Sequence, residues 1–234
     1  MGLVTVVRHG QAGSFAKTYD HLSDTGQQQS TLLGDYWADR GIEWDRVLIG
    51  PRRRHRETEE CVARAYRARG LSWPAAELLP ALDEIEMAKV ISHLAGEPQS
   101  DRESMRLHEV TEEDRPRALN AMFARMAVIT RDYAARRVVV PDAETWEDFK
   151  ARARRVLDFM VDSGKGKRVV AFSSGGLTAM LVGCALDLRD DKTIDLMMQV
   201  RNCSYTSFLY SPGRCTLTSF NAVPHLYPDM WTVG

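Results

Sequence analysis

The sequence predicts an α/β fold: a three-layer sandwich with a mostly parallel central sheet, a helical insertion and a C-terminal β-hairpin. Three observations carry this expectation. Residues 3–7, 46–49 and 168–172 are short apolar runs rich in Val and Ile, the pattern of strands buried on both faces of a parallel sheet. Each run leads through a short polar or Gly-containing stretch into helical periodicity, the alternation that covers such a sheet on both sides. Two further strand-like runs, 204–210 and 216–220, flank Ser211-Pro212-Gly213-Arg214, which reads as a hairpin at the sheet's edge.

Taken in order, the first strand gives way to a polar loop over 13–22. Ser23 then caps a helix reaching about Arg40, with Leu32, Leu33, Tyr36 and Trp37 on its inner face and Gly41 to end it. After the second strand, Gly50-Pro51 opens another helix with Pro51 as its first residue. Its first turn carries Arg52, Arg53, Arg54 and Arg56, and cations there oppose the helix dipole by about 0.3–1 kcal/mol each. Such a cluster makes sense where an anion sits; a solvated basic turn and a nucleic-acid patch are the competing readings. Residues 78–82 read as a strand-like approach to Asp83-Glu84-Ile85-Glu86. Residues 87–140 form a charged helical insertion within a single domain spanning 1–234, its best helix over 117–136 with Leu119, Met122, Phe123, Met126 and Ile129 as core filling. Thr145 starts a helix as a Thr-x-x-Asp box, with Trp146, Phe149, Ala153, Val156 and Met160 on one face. A turn over 164–167 leads into the third strand, which ends in Ser173-Ser174-Gly175-Gly176 before an apolar helix over 177–186.

Composition narrows the function classes. Lys plus Arg is 31 against 32 Asp plus Glu, so nothing demands nucleic acid or an anionic membrane. No apolar run approaches the ~18–20 residues of a membrane span, and the first residues lack the regions of a signal peptide. Cys61, Cys184, Cys203 and Cys215 are scattered without CxxC spacing, as reduced thiols rather than a disulfide framework or zinc site. A cytoplasmic protein is expected; its oligomeric state is not encoded in these features.

Chemistry concentrates at the strand ends. Arg8, His9 and Gly10 follow the first strand directly, where open α/β sheets bind ligands. Arg8 offers a fork of donors suited to phosphate or carboxylate, His9 is a nucleophile if one ring nitrogen is unprotonated, and Gly10 permits close backbone approach. The Ser-Ser-Gly-Gly turn between strand and helix aims backbone N–H groups at an anion.

The ordered set resembles the histidine phosphatase superfamily, in its phosphoglycerate-mutase-like branch. Arg8-His9-Gly10 matches the nucleophile motif, and Leu22-Ser23 through Gly26, Gln29, Leu33 and Gly34 resembles the helix that follows it. Gly50-Pro51-x-x-Arg54-x-x-Glu57-Thr58 is similar to Ser-Pro-x-x-Arg-x-x-Gln-Thr, with Gly for Ser and Glu for Gln. Leu82-Asp83-Glu84 resembles the proton-donor motif, and Asn221 with His225-Leu226 the usual ending. The resemblance implies a phosphomonoester phosphatase acting through a phosphohistidine at His9, with no metal or organic cofactor. Arg8, Arg54, Gln11, Ser174 and Gly175 would bind the phosphoryl group, and Glu84 would protonate the leaving oxygen; burial beside carboxylates would help it keep its proton, with Asp83 and Glu86 as candidates that could equally be solvated. The partner implied is a small-molecule or peptide phosphomonoester, not nucleic acid or a membrane, selected by the insertion and the loop after Gly13. Ser174 departs from the pattern, which has a second His there, so activity is expected to be reduced. Ser174→His, with room left by the glycines, is expected to restore ~10-fold in kcat/KM. The alternatives are a mutase-type phosphotransferase and a non-catalytic phosphoryl-binding or interaction protein.

Overall fold

A computed structural model describes residues 1–13, 20–95, 114–162, 166–211 and 213–233. Four strands run parallel: β1 (Gly2–Arg8), β2 (Arg46–Ile49), β3 (Ala76–Leu78) and β4 (Arg168–Ser173). β5 (Tyr205–Ser211) lies antiparallel to β1, and β6 (Arg214–Ala222) pairs with β5 as the outer strand of a hairpin. The order across the sheet is β3-β2-β4-β1-β5-β6, so the late strand β4 is inserted beside β1. Their register sets Arg8 opposite Ser173, which places His9 and Ser174 side by side beyond the strand ends.

Period-2 alternation in the strands sorts the core into two layers. Val7, Val47, Ile49, Val170 and Phe172 face α1 (Asp24–Ala38) and α2 (Arg53–Ala68), which contribute Leu33, Trp37, Val62 and Tyr66. Val4, Val6, Leu48, Val169 and Ala171 face the opposite way, against Trp146, Phe149, Leu177 and Met180 of α5 (Trp146–Val161) and α6 (Gly175–Ala185). Outside that second layer lie α3 (Met87–Ala95), α4 (Arg115–Ala134) and α7 (Asp190–Met197). Among the described residues no helix is long and apolar enough to cross a membrane. All four cysteines are free.

The caps form as the sequence implies. Ser23 Oγ accepts the Gly26 N–H at 3.1 Å, and Thr145 Oγ1 accepts the Asp148 N–H at 3.1 Å. Gly41 sits at φ +60° after α1, a conformation that few other residues adopt.

Four boundaries differ from the sequence reading. α2 starts at Arg53 rather than Pro51, because Arg52 stays extended (ψ 147°) and turns its guanidinium to Asp83. The run 78–82 is not a strand: Pro80 has no N–H for a ladder and opens a 3-10 turn, Pro80–Leu82, leaving only Ala76–Leu78 paired with β2. α6 begins at Gly175, so both glycines belong to its first turn. α4 begins two residues earlier than expected, at Arg115. Within it Ile129 packs on the core, while Met126 lines a cavity instead of filling the interior. Residues 14–19 of the polar loop, 96–113 of the insertion, the side chain of Leu119, 163–165 of the turn before β4 and Pro212 of the hairpin turn lie outside the described residues.

Candidate active site

The end of β1 is clamped by backbone bonds. The His9 N–H donates to the Ser173 carbonyl (2.9 Å), and the His9 carbonyl accepts from the Cys203 N–H (3.0 Å). Gly10 donates its N–H to Thr58 Oγ1 (3.0 Å), whose hydroxyl donates to the Arg54 carbonyl (2.7 Å). One threonine thus ties the turn after β1 to the start of α2.

The His9 ring is set by its two partners. Nδ1 lies 2.7 Å from the Gly10 carbonyl, which can only accept, so this nitrogen carries the proton. Nε2 receives Arg54 Nε–H at 3.0 Å and is therefore the lone-pair nitrogen. Burial first, then the positive charge of Arg54 and Arg8 and the neighbouring His55, hold the His9 pKa well below the usual histidine range. A neutral imidazole with a defined lone pair is what nucleophilic attack requires.

Three of the arginines at the start of α2 meet an acid of the chain itself. Arg52 pairs with Asp83, Arg53 with Glu57 at 2.7 Å, and Arg54 Nη1 with Asp20 at 2.8 Å. Asp20 also accepts the Arg53 N–H (2.9 Å), so its carboxylate sits where an anion at this helix end would sit. Arg8 donates Nη1 to the Val200 carbonyl and packs over Gly175, where an added Cβ would come within 3.3 Å of it.

Glu84 reaches the start of α6: Oε2 accepts the Gly176 N–H and Oε1 its neighbour Ile85, both at 3.0 Å. A Cβ on Gly176 would stand 2.1 Å from Oε1, so a larger residue there would displace the Glu84 carboxylate from this position. The acids expected to press on Glu84 face cations of their own instead: Asp83 pairs with Arg52, and Glu86 with Lys89. The turn bearing Glu84 is held from below by Arg152 of α5. Its Nη1 donates to the carbonyls of Ala81 (2.7 Å) and Asp83 (2.8 Å), while Glu144 grips the rest of the fork (2.6 and 2.7 Å).

Ser174 is fully buried, and its hydroxyl does not cap α6; Oγ lies 2.7 Å from His55 Nε2. The space expected beside Ser174 for an imidazole is already filled by this one, so Ser174→His meets a collision rather than an opening. Gln11 turns its amide oxygen to Ser23 Oγ (2.8 Å), and Gln29 holds its backbone N–H (2.9 Å). Of the residues singled out from the sequence, Arg8, His9, Arg54, Glu84, Ser174 and Gly175 gather at one end of the sheet; Gln11 is engaged toward α1. Thr58, His55, Asp20 and Arg152 join them from positions whose local sequence assigned no role.

A cavity of about 210 Å³ opens beside this cluster. Its lining includes Arg54, Glu84 and Gly176 together with Ile85, Met87, Met126, Met197 and Met198.

These environments predict an acid-sensitive fold. Burial, chiefly, depresses the pKa of His9, His55 and His225, the last to about 4 from 6.5. Below about pH 6.5 the unfolded chain takes up protons that the folded chain refuses, so stability falls as pH drops from there toward 4. Buried Glu59 acts in the opposite sense, its pKa raised mainly by desolvation, but one carboxyl stands against three imidazoles. Thermal unfolding is expected at a clearly lower temperature at pH 5 than at pH 7.5; an equal or higher Tm at pH 5 contradicts the neutral assignment.

The model of the histidine phosphatase superfamily (branch 1) matches residues 4–223. No curated protein matches the chain. Among solved structures, an Entamoeba histolytica phosphoserine phosphatase variant in complex with phosphoserine is 16% identical, with 97% of this chain and 100% of that one covered at a TM-score of 0.63. A mycobacterial glucosyl-3-phosphoglycerate phosphatase with inorganic phosphate is 21% identical, covering 96% and 99% at 0.62. A phosphoglycerate mutase from Bacillus anthracis is 19% identical, covering 96% and 95% at 0.59. At these identities the likeness shows the shared fold.

Proposed function

The chain belongs to the histidine phosphatase superfamily, and from that premise we propose that it hydrolyses phosphomonoesters through a phosphohistidine at His9. The observation that carries the reading is the state of the His9 ring: neutral, its Nδ1 proton committed to Gly10 and its Nε2 lone pair turned toward Arg54. Nε2 attacks phosphorus, and the bond to the leaving oxygen breaks as Glu84 gives that oxygen its proton. Water then attacks the phosphohistidine and returns a proton to Glu84, releasing phosphate. Arg54 Nε lies on the line of attack and must move from Nε2 to a phosphoryl oxygen, joined there by Arg8 and the first turn of α6. Positioning and charge stabilisation of this kind are most of what phosphoryl transfer asks of a protein. A cytoplasmic setting for a single domain is part of this reading.

The leaving group's side of the cavity favours a phosphatase over a mutase. A mutase must grip a second anionic end of its substrate, and the cavity's remaining arginine, Arg52, is already paired with Asp83. The methionine wall suits an apolar alcohol or phenol instead. An aryl phosphate is therefore expected to be turned over with higher kcat/KM than 3-phosphoglycerate, and an alkaline quench during turnover should trap an acid-labile, base-stable label on His9. Met198→Ala removes about 1–1.5 kcal/mol of apolar contact and should raise KM for the aryl ester 5- to 10-fold with kcat nearly unchanged. Preference for 3-phosphoglycerate, or no label at His9, would overturn the reading.

A further inference from the structure

His55 is a fully buried imidazole that the reaction above does not use. Its ring centroid stands 5.8 Å from that of His9, and Nε2 lies 2.7 Å from Ser174 Oγ. Nδ1 lies against Gly50, where an added Cβ would approach to 2.3 Å. Gly50 and Ser174, two positions at which the chain departs from the motif pattern it otherwise follows, thus touch the same side chain. A glycine makes room for the ring, and a small hydroxyl takes the place where a larger residue would displace it.

We propose that His55 and Ser174 work as one unit on the phosphoryl group, with Ser174 touching it and His55 acting as a positioning residue and proton store behind Ser174. This rests on the phosphatase reading. Ser174 alone has one proton and no charge to offer. A phosphomonoester entering as the monoanion brings an acidic P–O–H. Its proton passes to Ser174 Oγ while the proton of Oγ passes to His55 Nε2. The phosphoryl group gains one negative charge and His55 one positive charge. The new Nε2–H then donates to Oγ, which leaves the Ser174 hydroxyl directed at the phosphoryl oxygen. A hydrogen bond backed by an ionised partner is about twice as strong as a neutral one.

The groups facing His55 fit a ring that charges only with an anion present. Arg52 and Arg54 from its own stretch of chain, and His9 from the end of β1, face it, and the Ser174 hydroxyl just before α6 bonds it. Burial first, then the two arginines, keep it neutral in the resting site, and the Gly50 backbone alone favours the proton. A dianion bound among the same arginines offsets their repulsion.

The test uses inorganic phosphate as probe and ring-carbon and ring-nitrogen NMR of His55 as readout, with wild type, Ser174→Ala, His55→Gln and the double variant. In wild type, saturating phosphate at pH 6.5 should protonate His55; in Ser174→Ala phosphate still binds and His55 stays neutral. With an aryl phosphate, each single variant should lower kcat by 10- to 100-fold with KM within about threefold. The double variant should be no slower than the slower single, as for residues acting as a unit. Should His55→Gln fail to fold, the NMR comparison of wild type with Ser174→Ala decides alone. Phosphate bound beside a neutral His55, or single losses that multiply in the double variant, would overturn the unit and leave the phosphatase reading standing. Wild-type protein that fails to bind phosphate would bring down both.

Discussion

His9→Ala abolishes phosphate incorporation and lowers turnover of an aryl phosphate by ~10⁴-fold or more, while the protein remains folded. The expected loss is large because no other group offers the same attack: Nε2 is the lone-pair nitrogen, and Arg54 and Glu84 converge on the same end of the sheet. The expected cost to the fold is modest. The ring forms two hydrogen bonds, one to the Gly10 carbonyl and one from Arg54 Nε–H, each contributing about 1 kcal/mol. For a chain of 234 residues that corresponds to a Tm change of roughly 4–8 °C. Removing a neutral, buried imidazole also removes one source of acid sensitivity, so the variant should lose less stability between pH 7.5 and 5 than wild type. Full turnover in His9→Ala would point to another nucleophile, and the mechanism would fail with it.

Gly10→Ala is the most damaging single-methyl change at the site. A Cβ there would stand 2.4 Å from the Gly26 carbonyl oxygen and 2.7 Å from Ser30 Oγ. The first contact is backbone in the opening turns of α1, which cannot rotate aside as a side chain could. On the other side, Gly10 is fixed to Thr58 and, through it, to α2. Overpacking of this kind costs about 1–3 kcal/mol, a fall in Tm of roughly 3–10 °C. Activity should suffer more than stability. A shift of the 9–10 peptide moves His9 relative to Arg54, and misplacement by about an ångström costs ~10²-fold. A Gly10→Ala protein with wild-type kcat and Tm would mean that the helix yields freely, against the packing described.

The central strands were legible because β1, β2 and β4 carry short apolar runs of Val, Leu, Ile, Ala and Phe, broken only by Thr5, a signal that survives without partners. The caps at Ser23 and Thr145 were legible because a cap is a bond between residues three apart. The run 78–82 misled because its apolar residues are spaced for neither strand nor helix, and Pro80, the one residue that excludes a ladder, is the one that decides it. At the site, Arg8 and His9 stand out by adjacency on one strand end. His55 and Ser174 are 119 residues apart, and only the insertion of β4 beside β1 brings them together. Gly50 is the local trace of that contact, but a glycine between strand and helix has many other reasons to exist. Arg152 leaves no trace at all; along α5 it reads as one more charged residue, and its bonds to the Ala81 and Asp83 carbonyls depend on where the chain returns.

In the catalytic cycle proposed above, the carboxylate of Asp20 would bear on how the cycle closes. It holds Arg54 Nη1 and the Arg53 N–H at once, the two donors that an incoming phosphoryl oxygen would also seek. Inorganic phosphate at the end of turnover therefore meets a competitor tethered to the same molecule, whose effective concentration does not fall on dilution. Its return to the arginine is an intramolecular event, whereas recapture of free phosphate is bimolecular. On the proposed phosphatase reading the acid would act as a built-in displacer: it would weaken the hold on product, limit inhibition by ambient phosphate, and leave the arginine neutralised between turnovers.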